Sequence, residues 1–139
     1  MDMSSVLVDA NAYTAVRTGH EGVLDRLGRA NTVIMSSIVL GELQAGFQNG
    51  WRVEQNLEML QRFLVLPQVR IADVTAETAE HYGRLMTKLR RAGTPLPTND
   101  VWLAAQAVQA GAVILTFDKH FYMMPEVRVW PETTRRTKK

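Results

Sequence analysis

The sequence predicts an α/β fold with a mainly parallel central sheet and helices on both of its faces. Short aliphatic runs recur along the chain without polar alternation, as in VLV at 6–8, which is typical of strands buried on both faces. Segments with helical spacing of apolar residues separate these runs and end at glycine or proline. Alternating strands and helices of this kind form parallel sheets between two helical layers.

Five segments are predicted as strands because they are rich in aliphatic residues and are bounded by polar residues or glycine. They are VLVD (6–9), TVIMSS (32–37), VRIADV (69–74), AVILTFD (112–118) and a short edge strand EVRVW (126–130). In such sheets, ion and small-molecule sites lie beyond the carboxyl ends of the strands, where strand order reverses.

Six segments are predicted as helices from apolar spacing, polar residues that can cap their first turn, and glycine or proline at their ends. They are 11–19, 21–30, 37–48 (capped by Ser36 or Ser37), 51–66, 76–92 (capped by Thr75) and 99–110 (capped by Thr98 or Asn99).

The length of 139 residues predicts a single domain, 1–130, followed by a basic tail, 131–139, that we expect to be mobile. The whole chain has a formal net charge of +2 and the tail alone has +3, so the charges of residues 1–130 sum to −1. The globular part of the chain is therefore not basic. The sequence has no cysteine, no signal peptide and no apolar run long enough to span a membrane, which predicts a cytoplasmic protein. It also lacks a P-loop, a catalytic triad and an HExxH motif.

Four acids are the candidate functional residues. Asp9 and Asp118 each end a predicted buried strand, and parallel strands point these ends the same way. Glu42 follows Ile38 by one helical turn, on a face with an apolar residue, and Asp100 lies in the first turn of the helix before the fourth strand. All four acids can therefore converge at one edge of the sheet.

Each acid taken alone has another explanation. Asp9 and Asp118 can serve as caps or turn residues, Glu42 as an exposed acid, and Asp100 as an acid favoured by the helix dipole. Clustered carboxylates repel each other unless a cation compensates them, and hard oxygen ligands select Mg²⁺ or Mn²⁺. His120, two residues after Asp118, is interpreted as an exposed loop residue, although it could contact a substrate.

The segments VLVDAN, SSIVLGELQAG, TNDVWLAAQA and LTFDKHF resemble those of PIN-domain ribonucleases, specifically the VapC toxins of toxin–antitoxin pairs. The resemblance implies a PIN-like three-layer sandwich with strand order 3-2-1-4-5. It also implies that Asp9, Glu42, Asp100 and Asp118 hold one or two Mg²⁺ or Mn²⁺ ions and cleave single-stranded regions of structured RNA. Thr116, Asn11 and Asn99 are candidates for polar support of these acids, while Ala10 departs from the serine or threonine of many relatives.

The resemblance further implies an antitoxin partner of the VapB type, a homodimer and a toxin–antitoxin hetero-oligomer. RNA could be attracted by the cations of the fifth helix, Arg84, Lys88, Arg90 and Arg91, which would otherwise form a solvated helix face. A catalytically inactive PIN-like RNA-binding or scaffold module is the alternative, but four acids give a binder of anionic RNA no advantage. A receiver- or phosphatase-like domain is less compatible, because the first strand lacks a DxD or DD motif.

Overall fold

A computed structural model describes residues 5–132 of the chain. Within that range the strands and helices alternate as the sequence predicts. In chain order the elements are β1 (Ser5–Val8), α1 (Ala10–Arg17), α2 (Glu21–Gly28), β2 (Thr32–Ser36), α3 (Ser37–Gln48), α4 (Val53–Leu64), β3 (Val69–Ala72), α5 (Ala76–Arg91), α6 (Thr98–Ala110), β4 (Val113–Leu115), a 3₁₀ helix (Lys119–Met123) and β5 (Arg128–Trp130).

The five strands form one parallel sheet in the order β3-β2-β1-β4-β5, which confirms the predicted topology. β1 lies at the centre, with Val6 opposite Val33 of β2 and Val113 of β4. The side chains of Val6, Leu7 and Val8 are fully buried, as expected for a strand that is covered on both faces.

The helices form two packed groups that cover the two faces of the sheet. α1, α2, α3 and α4 contact one another, and the ring of Tyr13 on α1 meets that of Phe63 on α4 at a centroid distance of 5.3 Å. α5 and α6 form an antiparallel pair, in which Thr78 donates a 2.6 Å hydrogen bond to Gln109 and Tyr82 stacks on Trp102. In the described part of the chain, no helix is both long and apolar enough to cross a bilayer.

Helix caps agree with the sequence at two of three positions. The Ser36 hydroxyl accepts a hydrogen bond from the Ile38 backbone at the start of α3, and Thr75 begins α5 with a capping box. The predicted cap of α6 by Thr98 or Asn99 is wrong. Pro97 occupies that position instead, and its carbonyl accepts from the Asp100 backbone, so the Asn99 side chain is free to bond elsewhere.

The predicted fourth strand is too long, because β4 ends at Leu115. The Thr116 N–H still donates to the Trp130 carbonyl of β5, but the N–H of Phe117 donates to the Asn11 side chain and that of Asp118 to the Thr116 hydroxyl. Residues 117 and 118 therefore leave the sheet and lead into the 3₁₀ helix, which the sequence does not predict. The four cations of the tail lie outside the described residues, so its predicted mobility stays a prediction.

Candidate metal and active site

Asp9 directly follows the central strand β1 and is 6% exposed. Its Oδ1 accepts from the Ala10 backbone at 2.8 Å, so Asp9 caps α1, and its Oδ2 accepts from the Thr116 hydroxyl at 2.8 Å. Burial raises the pKa of Asp9 above its usual value, while these two hydrogen bonds oppose the rise and the charges of Glu42 and Asp100 add to it. Asp9 is therefore a helix cap and also a member of an acidic cluster.

Thr116 connects the two acids that follow strands. Its hydroxyl donates to Asp9 Oδ2 and accepts from the Asp118 backbone N–H at 2.9 Å. Asn11 lies beside it, with its Oδ1 3.0 Å from the Phe117 nitrogen and 3.4 Å from the Thr116 hydroxyl. The structure thus places Thr116 and Asn11 where they can orient the acids.

Asp100 approaches the same place from the first turn of α6 and is 8% exposed. Burial raises the pKa of Asp100, a hydrogen bond from His120 opposes the rise, and the negative charge of Asp118 adds to it. The helix-dipole explanation of this acid is insufficient, because Asp100 is buried against other ionisable groups.

His120 is not the free loop residue that the sequence suggested. It lies in the 3₁₀ helix that Asp118 caps, since Asp118 Oδ1 accepts from the His120 backbone at 3.0 Å. The imidazole Nδ1 is 2.7 Å from Asp100 Oδ2 and 3.1 Å from Asp118 Oδ1, which places it between the two carboxylates. A histidine two residues after an acid was the only sequence signal for this contact.

Glu42 completes the acidic set from the middle of α3. Its Oε2 accepts from the Asn99 side chain at 3.1 Å, and its charge contributes to the raised pKa of Asp9. Asn99 therefore links the third acid to the helix that carries Asp100. Glu42 and Asp100 contribute to the raised pKa of Asp9, and Asp118 contributes to that of Asp100, so each predicted acid has another of the four as a neighbouring charge.

The donor set suits a divalent cation. One ligand atom each of Asp100, Asp118 and His120 lie within 4.8 Å of one another. Asp9 and Glu42 lie outside this group, and the charges of Glu42 and Asp100 both contribute to the raised pKa of Asp9. Buried carboxylates that repel each other are costly unless a cation neutralises them. Carboxylate oxygens with one imidazole match the ligands that Mg²⁺ and Mn²⁺ accept in proteins.

The predicted RNA-binding cations lie on α5 and are exposed. Arg84, Lys88 and Arg91 line one shallow concavity on the outside of this helix, which Arg90 does not line. The Lys88 ammonium forms a 2.8 Å ion pair with Glu126, and an Arg84 nitrogen is 3.2 Å from His81 Nδ1. Because α5 and α6 are antiparallel, the basic end of α5 lies toward the end of α6 that carries Asp100.

Comparisons with known proteins identify a family and relatives of this chain. The PIN domain family matches residues 5–127. The chain is 35% identical over 105 residues to ribonuclease VapC2 of Rickettsia felis, covering 75% of this chain and 77% of that protein. It is 26% identical over 130 residues to the tRNA(fMet)-specific endonuclease VapC of Salmonella typhimurium, covering 91% of this chain and 97% of that protein.

Two solved complexes contain a chain of the same fold. In VapBC2 of Rickettsia felis bound to a DNA fragment from its promoter, the similar chain has a TM-score of 0.79 at 28% identity, covering 90% of this chain and 96% of that one. In DNA-bound VapBC of Salmonella typhimurium the TM-score is 0.78 at 27% identity, covering 91% and 97%.

Proposed function

The chain belongs to the PIN-domain family and, within it, to the VapC ribonucleases, and from this premise we propose that it is a metal-dependent endoribonuclease. Its substrate is structured RNA, which it cleaves in single-stranded regions, and it acts as the toxin of a toxin–antitoxin pair that inhibits translation and growth. The observation that carries the proposal is the cluster of Asp100, Asp118 and His120, to which Thr116 links Asp9 by hydrogen bonds.

Asp9, Asp100 and Asp118 would hold one or two Mg²⁺ or Mn²⁺ ions, with Glu42 and His120 completing the set. When bound, such an ion supplies charge neutralisation and Lewis-acid activation for attack of water on a phosphodiester. The protein's contribution is orientation: Thr116 and the Ala10 backbone fix both oxygens of Asp9, and Asn99 holds Glu42. Such neighbours of metal ligands commonly control affinity and activity.

RNA must approach an acidic pocket, so positive charge is needed close to it. Arg84, Lys88, Arg90 and Arg91 are exposed on α5, whose basic end lies toward Asp100. Phosphate contacts of this kind supply sequence-independent affinity that falls with salt. We infer that these residues guide the RNA backbone, whereas contacts to unpaired bases select the cleavage site.

The partner in this proposal is a VapB-like antitoxin. Two relatives of this fold are seen in VapBC complexes, and this chain exposes apolar side chains that a partner could cover. They include Val65, Leu66, Ile71 and Val74, near the end of α4 and along β3. We propose that this chain forms a homodimer and that the homodimer joins two antitoxin chains in a hetero-oligomer through this surface. Such a toxin would act in the cytoplasm.

A cleavage assay tests the enzyme assignment. Purified, metal-stripped protein should cleave structured RNA only after addition of Mg²⁺ or Mn²⁺, and Asp100→Asn should be inactive although folded. Expression should arrest growth, and co-expression of the antitoxin should restore it. Metal-independent cleavage, or harmless expression of intact folded protein, would contradict the proposal.

A further inference from the structure

Phe117 is an exposed aromatic residue within the acidic site. It stands between Thr116, which donates to Asp9, and Asp118, which contacts His120. Its side chain is 44% exposed, and it lies outside the apolar core formed by the described residues. Burial in the core therefore does not account for a phenylalanine at this position.

The backbone of Phe117 is held in place. Its N–H donates to Asn11 Oδ1 at 3.0 Å, and that oxygen belongs to the first turn of α1, directly after Asp9. The backbone of Phe117 is therefore tied to the turn that begins directly after Asp9. A mobile loop residue would lack such a constraint.

His20 provides a second ring beside it. The centroids of His20 and Phe117 are 5.4 Å apart, with the planes tilted by 44°. His20 caps α2, and its Nδ1 accepts from the Val23 backbone at 3.2 Å, which fixes the imidazole. Two exposed rings from separate elements thus form one aromatic ledge, and the chain on either side of Phe117 connects this ledge to Thr116 and Asp118 of the site.

We propose that Phe117 and His20 form a stacking platform for an unpaired base of the RNA next to the cleaved phosphodiester; this rests on the function proposed above. Proteins that read single-stranded RNA stack bases on aromatic and histidine rings. Stacking also suits this location, because the acids repel the backbone and the attraction of a ring does not depend on positive charge.

A base is favoured over a protein segment by the size and setting of the ledge. It consists of two rings, whereas the broader exposed apolar surface of Val65, Leu66, Ile71 and Val74 lies near α4 and β3, at the opposite edge of the sheet from β5. An apolar helix would bury little surface against two rings. A planar base needs only one face of a ring.

The test measures binding without cleavage, in the Asp100→Asn protein with a labelled single-stranded oligoribonucleotide and Mn²⁺. Adding Phe117→Ala should weaken binding about 5- to 150-fold, the range that loss of one stacked base produces. Phe117→Trp should retain binding, and Phe117→Leu, which keeps apolar bulk but no ring, should resemble alanine. The slope of affinity against salt should not change, because no phosphate contact is lost.

Trp51→Ala is the matched control, since Trp51 is an aromatic residue that is 85% exposed and lies before α4. Unchanged RNA affinity in Phe117→Ala, or full RNA binding by Phe117→Leu, would overturn the stacking platform. The enzyme assignment would still stand if the wild-type protein cleaves RNA. Loss of antitoxin binding alone would assign the ledge to the partner and also overturn it. If the wild-type protein neither binds nor cleaves RNA, both proposals fail.

Discussion

The candidate site has a buried half and an open half, and they are held together in different ways. The buried half is Asp9 with Thr116 and Asn11, where Asp9 is 6% exposed and both of its oxygens accept hydrogen bonds from uncharged donors. The open half is Asp118 with His120, whose side chains are 32% and 43% exposed. There Asp118 Oδ1 contacts the His120 imidazole, an ionisable group, as well as the His120 backbone N–H.

This difference indicates which side chains of the site the fold orients before a metal ion binds. Asp9 is oriented by the central strand and by neutral partners that do not depend on metal. The open half takes its geometry from a carboxylate–imidazole contact, which a bound cation would change by competing for the same atoms. We therefore expect the buried half to set whether the site functions and the open half to tune how well it holds metal.

The largest effect should follow loss of charge in the buried half. Asp9→Asn should lower the cleavage rate by at least the roughly 10²–10³-fold that loss of one preorganised electrostatic contact costs in other enzymes. Asp25→Asn is the control, because Asp25 is an exposed acid that pairs with Arg29 on α2. Equal rates for wild type and Asp9→Asn, in single-turnover RNA cleavage, would remove Asp9 from the site.

Loss of the support for Asp9 should cost less. Thr116→Val keeps the shape of the side chain but removes the hydroxyl that donates to Asp9, so activity or metal affinity should fall about 10- to 100-fold. Thr116→Ser retains the hydroxyl and should stay close to wild type. If serine and valine behave alike, the hydroxyl does not position Asp9, and the contrast between the halves loses its basis.

The open half should show smaller and graded effects. Asp118→Asn removes a negative charge, whereas His120→Asn removes a ligand that is neutral when it binds metal. Asp118→Asn should therefore weaken Mn²⁺ binding more than His120→Asn does. Electron paramagnetic resonance, which detects free Mn²⁺ during a titration, measures the Mn²⁺ affinity of both variants. A greater loss at His120 than at Asp118 would mean that the imidazole, not the carboxylate, dominates the open half.

Sequence patterns alone could predict the edge of the sheet at which the acids lie. β1 and β4 are neighbouring parallel strands, so Asp9 and Asp118, which follow them, are placed at one edge before any contact is known. Glu42 and Asp100 follow from helices that begin at that edge. The helical and strand periodicity of the sequence therefore predicts which edge of the sheet the four acids occupy.

The contacts of the open half could not be predicted in this way. His120 reaches Asp100 because the residues after Thr116 leave the sheet for a 3₁₀ helix, and no periodic spacing of apolar residues marks that turn. The exposure of Phe117 has the same origin. Pro97, not Asn99, likewise occupies the N-cap of α6, and the Asn99 side-chain amide donates to Glu42 instead. Sequence patterns do not predict this contact, because the two residues are 57 positions apart.

The smallest effect, a change in melting temperature, tests whether the buried half is strained without metal. Burial and the charges of Glu42 and Asp100 raise the pKa of Asp9 from its ordinary value of 3.8, so its ionised form destabilises the folded state. The folded state then binds more protons than the unfolded one between 3.8 and the raised pKa, and stability falls as pH rises through that window. Metal-free Asp9→Asn should therefore melt above wild type at neutral pH, and the gap should close as pH approaches 4.

Metal should reverse that order. Binding only to the folded state adds about 2.7 kcal/mol at one hundred times the dissociation constant, which corresponds to several degrees for a chain of this size. Mn²⁺ at neutral pH should thus raise the wild-type midpoint above that of Asp9→Asn, and the rise should shrink at acidic pH because protons compete for the same oxygens. A monovalent salt of equal ionic strength is the control, since screening also relieves repulsion. If the two proteins keep the same order with and without Mn²⁺, Asp9 does not hold the ion and the buried half is a structural cap alone.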